Sequence, residues 1–459
     1  MTTALIWASR AAEAAQDDGA ATDHAERALA LLSTEDHALR QELLERIARL
    51  AERRQDMRTA LSARRALVAL ARAATSGVRP SSDASEQLAA ALVNEGDVLR
   101  EIGELDAAAT AFAESLGLLR RIPSTYKGTP AVLRYLSVTL DRVGDIARAT
   151  GDLNAARAAY TEALEVARRV LDTYGDSPTA LRDLSITLAR VGDVARDTGD
   201  FNAARTACTE ALDIARRVLD TYGDSPTALR DLSITLNRVG DTARGAGDVN
   251  AAKTAYTEAL AITRRILDTY GDSPTALRDL SVSLGKVGRA TGDTGNLNAA
   301  KTAYTEALRL HRRILETYGD TPAALRDLSV TLNRVGDIAR ASGDVDAARA
   351  AYIEALELRR RILDTYGETP TALRDLTTSL NNVGDTARDS GDADAARTAY
   401  TEALQIARRI LDTYGETPTA LRDLTTSLER CAEVEERLGN EAAAQTAREE
   451  ARTVRERLN

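Results

Sequence analysis

Apolar residues along most of the chain recur at spacings of three and four, with charged and small polar residues between them. At about 100° per residue, this spacing places the apolar side chains in one stripe along a helix. Two such stripes follow each other within residues 176–223. The first stripe consists of Leu181, Leu184, Leu188, Val191 and Ala195, and the second of Ala204, Cys208, Ala211, Leu212, Ala215 and Leu219. The pattern predicts two amphipathic helices that pack on neighbouring helices through these stripes.

Proline, glycine and capping residues mark where each helix begins and ends. Ser177 is a good N-cap, and Pro178 suits the first helical position. Gly199 provides a left-handed stop, and Asp200 caps the next helix. The arrangement recurs with a period of 48 residues, which is visible in seven of the prolines: Pro130, Pro178, Pro226, Pro274, Pro322, Pro370 and Pro418. A unit copied at a fixed period of this kind predicts a solenoid of stacked helix hairpins.

The repeated unit resembles the tetratricopeptide repeat, whose motif has large residues around a glycine in the first helix, then alanine and an aromatic residue in the second. The matching positions in one copy are Leu188, Val191, Gly192, Ala195, Gly199, Asp200, Ala204, Cys208, Ala211 and Leu212, and the match recurs from about residue 84 to the end. The unit departs from the family, since leucine replaces the usual tryptophan, alanine the first tyrosine, and Arg216 the closing proline. Its period is also 48 residues instead of about 34. These differences imply helices longer than the family norm, about 20 residues each.

The resemblance implies an all-α fold, a right-handed superhelical α-solenoid of about ten antiparallel helix hairpins. We expect degenerate N-terminal hairpins in residues 1–79, the regular 48-residue array in 80–439, and a C-terminal capping helix in 440–459. The stretch TSGVRPSSD, residues 75–83, leads into the regular array. Arg448 and Arg452 stand where inner copies have the tyrosine and a following leucine, so a further repeat could stack there only by burying charge.

Composition narrows the classes of function. The 459 residues are 44% hydrophobic but only 3% aromatic, so the cores are built from Ala, Leu, Val and Ile. A net charge of −10 argues against a general nucleic-acid or membrane-surface role, because those roles need a dominant basic surface. Cys208 and Cys431 lie in different repeats, which suits a reducing compartment. With no visible signal peptide or membrane span, we expect a cytoplasmic protein with no nucleic-acid or membrane partner.

The side of the first helix opposite its apolar stripe is the candidate binding surface, because the resemblance implies that this side lines a concave groove. It carries two arginines for each aspartate, as in Arg190, Asp193 and Arg196, and such a surface can attract an acidic segment. Repeat seven has Lys286 and Arg289 where the others have arginine and aspartate. The alternative is a ladder of charges that pair with each other within the helix and with neighbouring repeats.

Asparagines at one position of the first helix, immediately before its first arginine or its substitute, add a second candidate feature. The resemblance implies that such amides bind an extended peptide, and an amide can hydrogen-bond a backbone whatever its sequence. The alternative is a tolerated polar residue on a solvated helix. The candidate peptide-binding residues are Arg190, Asn237, Arg238, Arg244, Lys286, Arg289, Asn333, Arg334, Arg340 and Asn381.

The sequence offers no candidate catalytic, metal or cofactor site. His24, His37 and His311 have no metal-ligand spacing, and the glycines of residues 288–295 lack the Lys and Ser or Thr of a phosphate-binding loop. Carboxylates repeat with the period, whereas catalysis needs one asymmetric site. We therefore expect a scaffold or adaptor, not an enzyme, that binds an extended, acidic segment of a partner protein.

Two other functions stay open on the sequence alone. The near-identical repeats and the apolar residues Ile186, Ile234, Val282 and Val330 could serve self-association into homo-oligomers. Alternatively, the degenerate N-terminal region, which contains the sole tryptophan, Trp7, docks a catalytic partner and makes the chain a regulatory subunit.

Overall fold

The computed structural model describes residues 1–15, 17–33, 36–54, 56–75, 81–122 and 129–458. The chain divides into two compact units, Met1–Val194 and Ala195–Asn459. In the described residues every regular element is an α-helix, and there are 20 of them. The predicted all-α fold of about ten helix hairpins is therefore confirmed. None of these 20 helices combines the length and the apolar character needed to cross a membrane.

The first unit begins with four helix hairpins in its described residues, and a further helix, α9, follows them. Within each hairpin the two helices pack directly against each other. The helices are α1 (Thr2–Ala14), α2 (Asp18–Ala30), α3 (His37–Arg53), α4 (Met57–Thr75), α5 (Ser82–Glu101), α6 (Leu105–Arg121), α7 (Pro130–Thr150), α8 (Leu153–Tyr174) and α9 (Pro178–Asp197). The boundary between the units falls near the end of α9.

The second unit continues the same alternation with greater regularity. Its helices are α10 (Phe201–Tyr222), α11 (Pro226–Gly245), α12 (Val249–Tyr270), α13 (Pro274–Asp293), α14 (Leu297–Tyr318), α15 (Pro322–Ala341), α16 (Val345–Tyr366), α17 (Pro370–Asp389), α18 (Ala393–Tyr414), α19 (Pro418–Arg437) and α20 (Glu441–Glu456). From α11 to α18, first helices have 20 residues and second helices 22. The predicted length of about 20 residues is confirmed here.

The helix ends are formed by the predicted capping residues. The Ser177 hydroxyl accepts a hydrogen bond of 3.1 Å from the amide three residues on, and Pro178 is the first residue of α9. Gly199 has a φ of 78°, a left-handed conformation that favours glycine. The carboxylate of Asp200 then accepts a hydrogen bond of 3.0 Å from the first turn of α10. Local sequence therefore fixes where each hairpin turns.

Small residues and one tyrosine hold each regular hairpin together. Tyr256 of α12 is completely buried against Gly240 of α11, where a Cβ atom would overlap the ring. The same ring packs with Ala252 and with Ala290 of α13, so it also joins one hairpin to the next. Burying a large apolar side chain of this kind contributes roughly 1.5–3 kcal/mol. The hydrophobic core therefore extends from one hairpin into the next.

The three expected regions, 1–79, 80–439 and 440–459, stay a prediction. Most of the predicted linker, residues 76–80 of the stretch 75–83, lies outside the described residues. At the other end, Arg448 of α20 forms an ion pair with Glu436 of α19, and Arg452 is exposed. The last helix thus presents charged residues at the positions that the sequence singled out.

Candidate protein-binding surface

The outward-facing side of the first helices carries carboxylates that pair with cations from the next hairpin. The cation follows its carboxylate by 45 residues in the chain. We name each such contact a rung and the whole series the polar ladder. The rungs are Asp97 with Arg142 and Asp145 with Arg190 in the first unit, and Asp241 with Lys286 and Asp385 with Arg430 in the second. The ladder therefore pairs charges between hairpins.

Asp145 shows how a rung is built. Its carboxylate lies 3.0 Å from the Arg190 guanidinium and accepts a 2.8 Å hydrogen bond from the Tyr160 hydroxyl. Burial alone would raise the pKa of Asp145, but the charge of Arg190 and the two hydrogen bonds outweigh burial and hold the pKa below its usual value. The carboxylate therefore stays ionised, and the rung is electrically balanced.

Asp141, one turn before Asp145, is a buried carboxylate that is less well paired. One of its oxygens accepts hydrogen bonds from Thr187 at 3.1 Å and Arg190 at 3.2 Å. The other oxygen has no hydrogen-bond partner in the described residues. Burial raises the pKa of Asp141 to about 6, since Arg190 only partly offsets the loss of water and Asp145 adds repulsion. Asp141 thus titrates close to physiological pH.

The second unit contains rungs of the same design. Asp241 receives Lys286 at 2.7 Å on both oxygens and the Tyr256 hydroxyl at 2.7 Å. Asp385 receives Arg430 at 3.0 Å together with a tyrosine hydroxyl at 2.7 Å. Burial opposes the ionisation of Asp385, but these hydrogen bonds and nearby arginines hold its pKa below the usual value. A carboxylate between a tyrosine and a cation is therefore the standard rung.

The seventh hairpin, formed by α13 and α14, breaks this design. Arg289 occupies the carboxylate position, and the residue 45 positions later is Arg334, so arginines stand at both positions of this rung. We name Arg289 and Arg334 the cationic rung. Arg289 forms no ion pair with a carboxylate in the described part of the chain, and its positive charge lies close enough to the Tyr304 phenol to favour a lower pKa of that group. Burial raises the pKa of the Tyr304 phenol, and both arginines act in the opposite direction.

The break also changes the next rung. Arg334 pairs with Asp337 of its own helix at 3.1 Å, and Asp337 accepts a 2.8 Å hydrogen bond from Tyr352. The residue 45 positions after Asp337 is Asn382, which supplies no positive charge. The two rungs together hold two cations and one carboxylate, so the excess positive charge belongs to Arg289 and Arg334.

The three predicted asparagines have unused hydrogen-bonding capacity. Asn237 and Asn381 are only 9% and 8% exposed. The side-chain oxygens of Asn237, Asn333 and Asn381 are buried and have no hydrogen-bond partner in the described part of the chain. The amide of Asn237 donates to Ser283 of the next hairpin at 3.4 Å. Each of these residues lies one position before a ladder cation or its substitute, so the unpaired oxygens recur along the same face.

The other predicted cations are mostly paired. Arg190 and Lys286 belong to rungs, as described above. Arg244 lies 3.4 Å from Asp293, and Arg340 lies 3.7 Å from Asp385. Arg238 is half-buried and also interacts with neighbouring residues. These contacts match the alternative of a ladder whose charges pair with each other, and they leave Arg289 as the predicted cation that stands outside it.

Sequence reasoning missed one feature of the ladder. It did not predict that the tyrosine of the second helix donates to the ladder aspartate of the same hairpin, 15 residues earlier. The alternative of a self-paired ladder allowed contacts both within the helix and with neighbouring repeats, and the shortest ones run to the next hairpin. The signal was a change in one member of each of two neighbouring rungs, Arg289 in the first and Asn382 in the next, in an otherwise repeated pattern.

Four segments of the chain match the family model of the tetratricopeptide repeat, residues 137–178, 185–226, 328–365 and 376–413. Each begins within a first helix and includes most of the second helix that follows. These four segments are tetratricopeptide repeats. The resemblance inferred from the glycine, alanine and tyrosine positions is thereby confirmed, and the polar ladder lies on the first helices of these repeats.

Several solved structures are similar to the chain at low sequence identity. A Rap protein complexed with Competence and Sporulation Factor is 14% identical with a TM-score of 0.50, over 93% of this chain and 99% of that one. BtubC from P. vanneervenii is 20% identical with a TM-score of 0.46, over 58% of this chain and 94% of its own. The STAND signal-transduction ATPase with a tetratricopeptide repeat sensor from Pyrococcus horikoshii is 13% identical with a TM-score of 0.49. The match covers 92% of this chain and 53% of that one. No curated protein matches the chain in sequence.

Proposed function

We propose that this chain is a protein-binding scaffold whose first-helix face holds an extended, acidic segment of a partner protein. The proposal rests above all on the unpaired amide oxygens of Asn237, Asn333 and Asn381. A buried polar group without a partner destabilises a protein by about 1–3 kcal/mol. Since these oxygens are buried in the unbound chain, the asparagine side chains would turn outwards on binding, and backbone N–H groups of an extended peptide would supply the missing donors.

The charge of the same face favours an acidic segment. Intact rungs are balanced, whereas the cationic rung of Arg289 and Arg334 adds positive charge beside Asn333. Because the whole chain carries a net charge of −10, a single positive site would select a short acidic segment and repel long polyanions. The proposed partner is therefore a protein with an acidic, extended stretch.

Two further observations support a binding role. Tetratricopeptide repeats form a scaffold fold, and the Rap protein that shares this fold is complexed with Competence and Sporulation Factor. Both cysteines of the present chain, Cys208 and Cys431, are buried free thiols, which suits the proposed cytoplasmic location. We infer an adaptor that brings proteins together and carries out no chemistry of its own.

A peptide panel tests this function with the full chain. Fluorescently labelled unstructured peptides of equal length and graded charge, from strongly acidic to strongly basic, would be titrated and followed by anisotropy. We expect the acidic members to bind more tightly. Changing Asn237, Asn333 and Asn381 together to alanine should weaken that binding about tenfold or more, since each lost hydrogen bond is worth about 0.5–1.5 kcal/mol.

A matched triple variant controls for the loss of three amides. Asn202, Asn250 and Asn298 are exposed in the first turn of the second helices, away from the ladder. Their change to alanine should leave peptide binding unaltered. Equal effects of the two triple variants, or equal binding of acidic and basic peptides, would rule out the first-helix face as the binding surface.

Self-association is a second candidate function, favoured by apolar residues on the same helices. Ile234, Val282 and Val330 are 36%, 45% and 41% exposed and lie four residues before a ladder cation. Sedimentation at increasing concentration should show dimers or larger species if these residues join two copies. A monomer at every concentration would contradict self-association, and Ile234, Val282 and Val330 would then be available to apolar side chains of a bound peptide.

The N-terminal region offers a third candidate surface within the first unit. Trp7 is 65% exposed, and the guanidinium of Arg10 lies 5.7 Å from its ring centre. A cavity of about 1070 Å³ between α3, α4 and α5 is lined in part by Gln41, Leu67 and Gln87. If a catalytic partner docks here, Trp7→Ala should weaken that association and leave binding of acidic peptides unchanged.

A further inference from the structure

We infer that the cationic rung is a binding site for a phosphate ester dianion, as carried by a phosphorylated serine or threonine of a partner segment. This inference rests on the proposed function and names the group that the acidic segment presents to Arg289 and Arg334. It concerns one rung of the polar ladder and leaves the other rungs as structural contacts.

The intact rungs show which group the seventh hairpin lacks. In the rungs of Asp145, Asp241 and Asp385 the carboxylate lies between a tyrosine hydroxyl and the cation of the next hairpin, whereas the rung of Asp97 has Phe112 at the tyrosine position. In the seventh hairpin Tyr304 packs against Gly288, next to Arg289 in the chain, and the charges of Arg289 and Arg334 both act on its phenol. The Tyr304 hydroxyl makes no hydrogen bond to a described carboxylate. The missing partner of this rung is therefore an oxyanion from outside the chain.

The number of charges distinguishes a phosphate ester from a carboxylate. An intact rung balances one cation with one carboxylate, whereas the cationic rung presents two guanidinium groups. A phosphate ester carries a charge of about −1.5 to −2 at neutral pH, and its three oxygens can accept from both guanidinium groups and from the phenol. Arginine suits this role because its planar fork matches phosphate geometry. A glutamate or aspartate side chain brings one charge, which balances Arg289 while Arg334 stays with Asp337, whereas a phosphate ester can engage both guanidinium groups.

The site is open to a ligand. The side chain of Arg334 is 44% exposed, and its present partner Asp337 is 43% exposed. An ion pair at this exposure is weak because water screens it, so Arg334 can turn towards an incoming phosphate. Asp337 would keep its hydrogen bond from Tyr352. Ligand binding thus needs a side-chain movement and no change of the backbone.

A protein-borne phosphate fits this surface better than a nucleic acid. The rungs on either side of the cationic rung include Asp241 and Asp337, so a strand with a phosphate at every position would meet carboxylates. Nucleic-acid binding needs several phosphate contacts, and the second unit offers one doubly cationic rung. An isolated dianion on an otherwise mildly acidic segment is the ligand that matches this spacing of charge.

Calorimetric titration of the full chain tests the inference with four probes. These are a blocked alanine-phosphoserine-alanine tripeptide, the same tripeptide with glutamate, inorganic phosphate, and a short 5′-phosphorylated oligonucleotide. We expect the phosphoserine tripeptide to bind about tenfold or more tightly than the glutamate tripeptide, with inorganic phosphate competing. The oligonucleotide should bind no more tightly than inorganic phosphate.

The decisive variant is Arg289→Asp, which restores the residue found in the intact rungs. The new carboxylate should accept from Tyr304 and pair with Arg334. Phosphoserine binding should fall about tenfold or more while the urea midpoint stays equal or rises. A variant that merely damages the fold would lower both. Arg312→Gln is the matched control, because Arg312 is 49% exposed, lies on a second helix and pairs with Glu354.

Three results would overturn the inference. These are equal binding of the phosphoserine and glutamate tripeptides, unchanged phosphoserine binding in Arg289→Asp, and tightest binding of the oligonucleotide with a salt dependence of several phosphates. If the tripeptides fail while long acidic peptides still bind through Asn237, Asn333 and Asn381, only the phosphate site is wrong. If phosphoserine binds at Arg289 but no extended peptide does, the proposed scaffold function is wrong instead.

Discussion

Replacing Asp141 with asparagine should stabilise the first unit at neutral pH and have little effect in acid. The carboxyl group is 5% exposed, and burial raises its pKa from the usual 3.8 to about 6. A pKa that is higher in the folded than in the unfolded chain means that the folded chain prefers the protonated form. The ionised carboxylate is therefore destabilising above pH 6, and asparagine removes its charge while keeping an acceptor for Thr187.

The magnitude follows from the difference between the two pKa values. One pKa unit corresponds to about 1.4 kcal/mol, so the change from 3.8 to about 6 amounts to at most about 3 kcal/mol near pH 8. The stability attached to the protonated form is complete below pH 3.8 and is lost as the pH rises to about 6. Near pH 4.5 the expected gain from Asp141→Asn has therefore fallen to about 1 kcal/mol.

Urea unfolding followed by circular dichroism measures this effect. Comparing wild type and Asp141→Asn at the same pH cancels the other titrating groups, so the difference in unfolding free energy reports the one carboxyl group. The gain should be largest near pH 8 and shrink steadily in acid. A variant that is less stable than wild type near pH 8, or a gain that does not change with pH, would refute the reasoning.

Two further substitutions serve as controls, because each should lower the free energy of unfolding at neutral pH where Asp141→Asn raises it. Asn237→Asp introduces a carboxylate at the equivalent position of the second unit, so it should destabilise the chain at neutral pH and recover in acid. Asp145→Asn removes a carboxylate whose pKa is held below the usual value by Arg190 and Tyr160. Its loss should also destabilise the chain at neutral pH, but for the reverse reason, since that stabilisation is present above pH 3.8 and disappears as the pH falls.

Two other outcomes test the packing. Gly336→Ala places a Cβ atom 2.6 Å from the Tyr352 ring and should cost about 1–3 kcal/mol in urea unfolding. Gly288→Ala, 3.0 Å from Tyr304, should cost less, and equal losses would contradict this account of the hairpin core. Burial raises the pKa of Cys431 to about 11, so iodoacetamide near pH 8 should label it only after unfolding. Complete labelling of the native chain, seen by mass spectrometry, would show that the thiol is accessible.

The hairpins could be predicted from the sequence because the signals that form them are local. Ser177 and Pro178 begin a helix through contacts within one turn, and Gly199 ends it through its own backbone conformation. The apolar stripes needed only the helical period. In the structure Leu181 and Leu188 are almost completely buried, as the stripe predicts. Each of these inferences uses only residues of one hairpin, and each signal acts within about a turn or two of helix.

The contacts of the candidate site could not be predicted in the same way. Asp145 has an arginine three residues before it and another three residues after it, and helical spacing favours those partners. Its closest cation is instead Arg190 of the next hairpin, because stacking brings equivalent helices side by side. Asn237 likewise looks like a surface amide in sequence, but Ser283 of the following hairpin helps to bury it. Such burial depends on how hairpins stack, which the periodicity alone does not specify.

Because the repeats are so alike, the arginine at position 289, where most other repeats have aspartate, is informative about function. Arg289 stands where the intact rungs have an aspartate that pairs with the next cation and accepts from a tyrosine, so arginine there gives up two stabilising contacts. It also brings a second positive charge to the rung of Arg334, which destabilises the folded chain in the absence of an anion. A residue that works against stability while its neighbours keep the common pattern is best explained by what it binds. We therefore propose that ligand binding, and not folding, accounts for the sequence of the cationic rung.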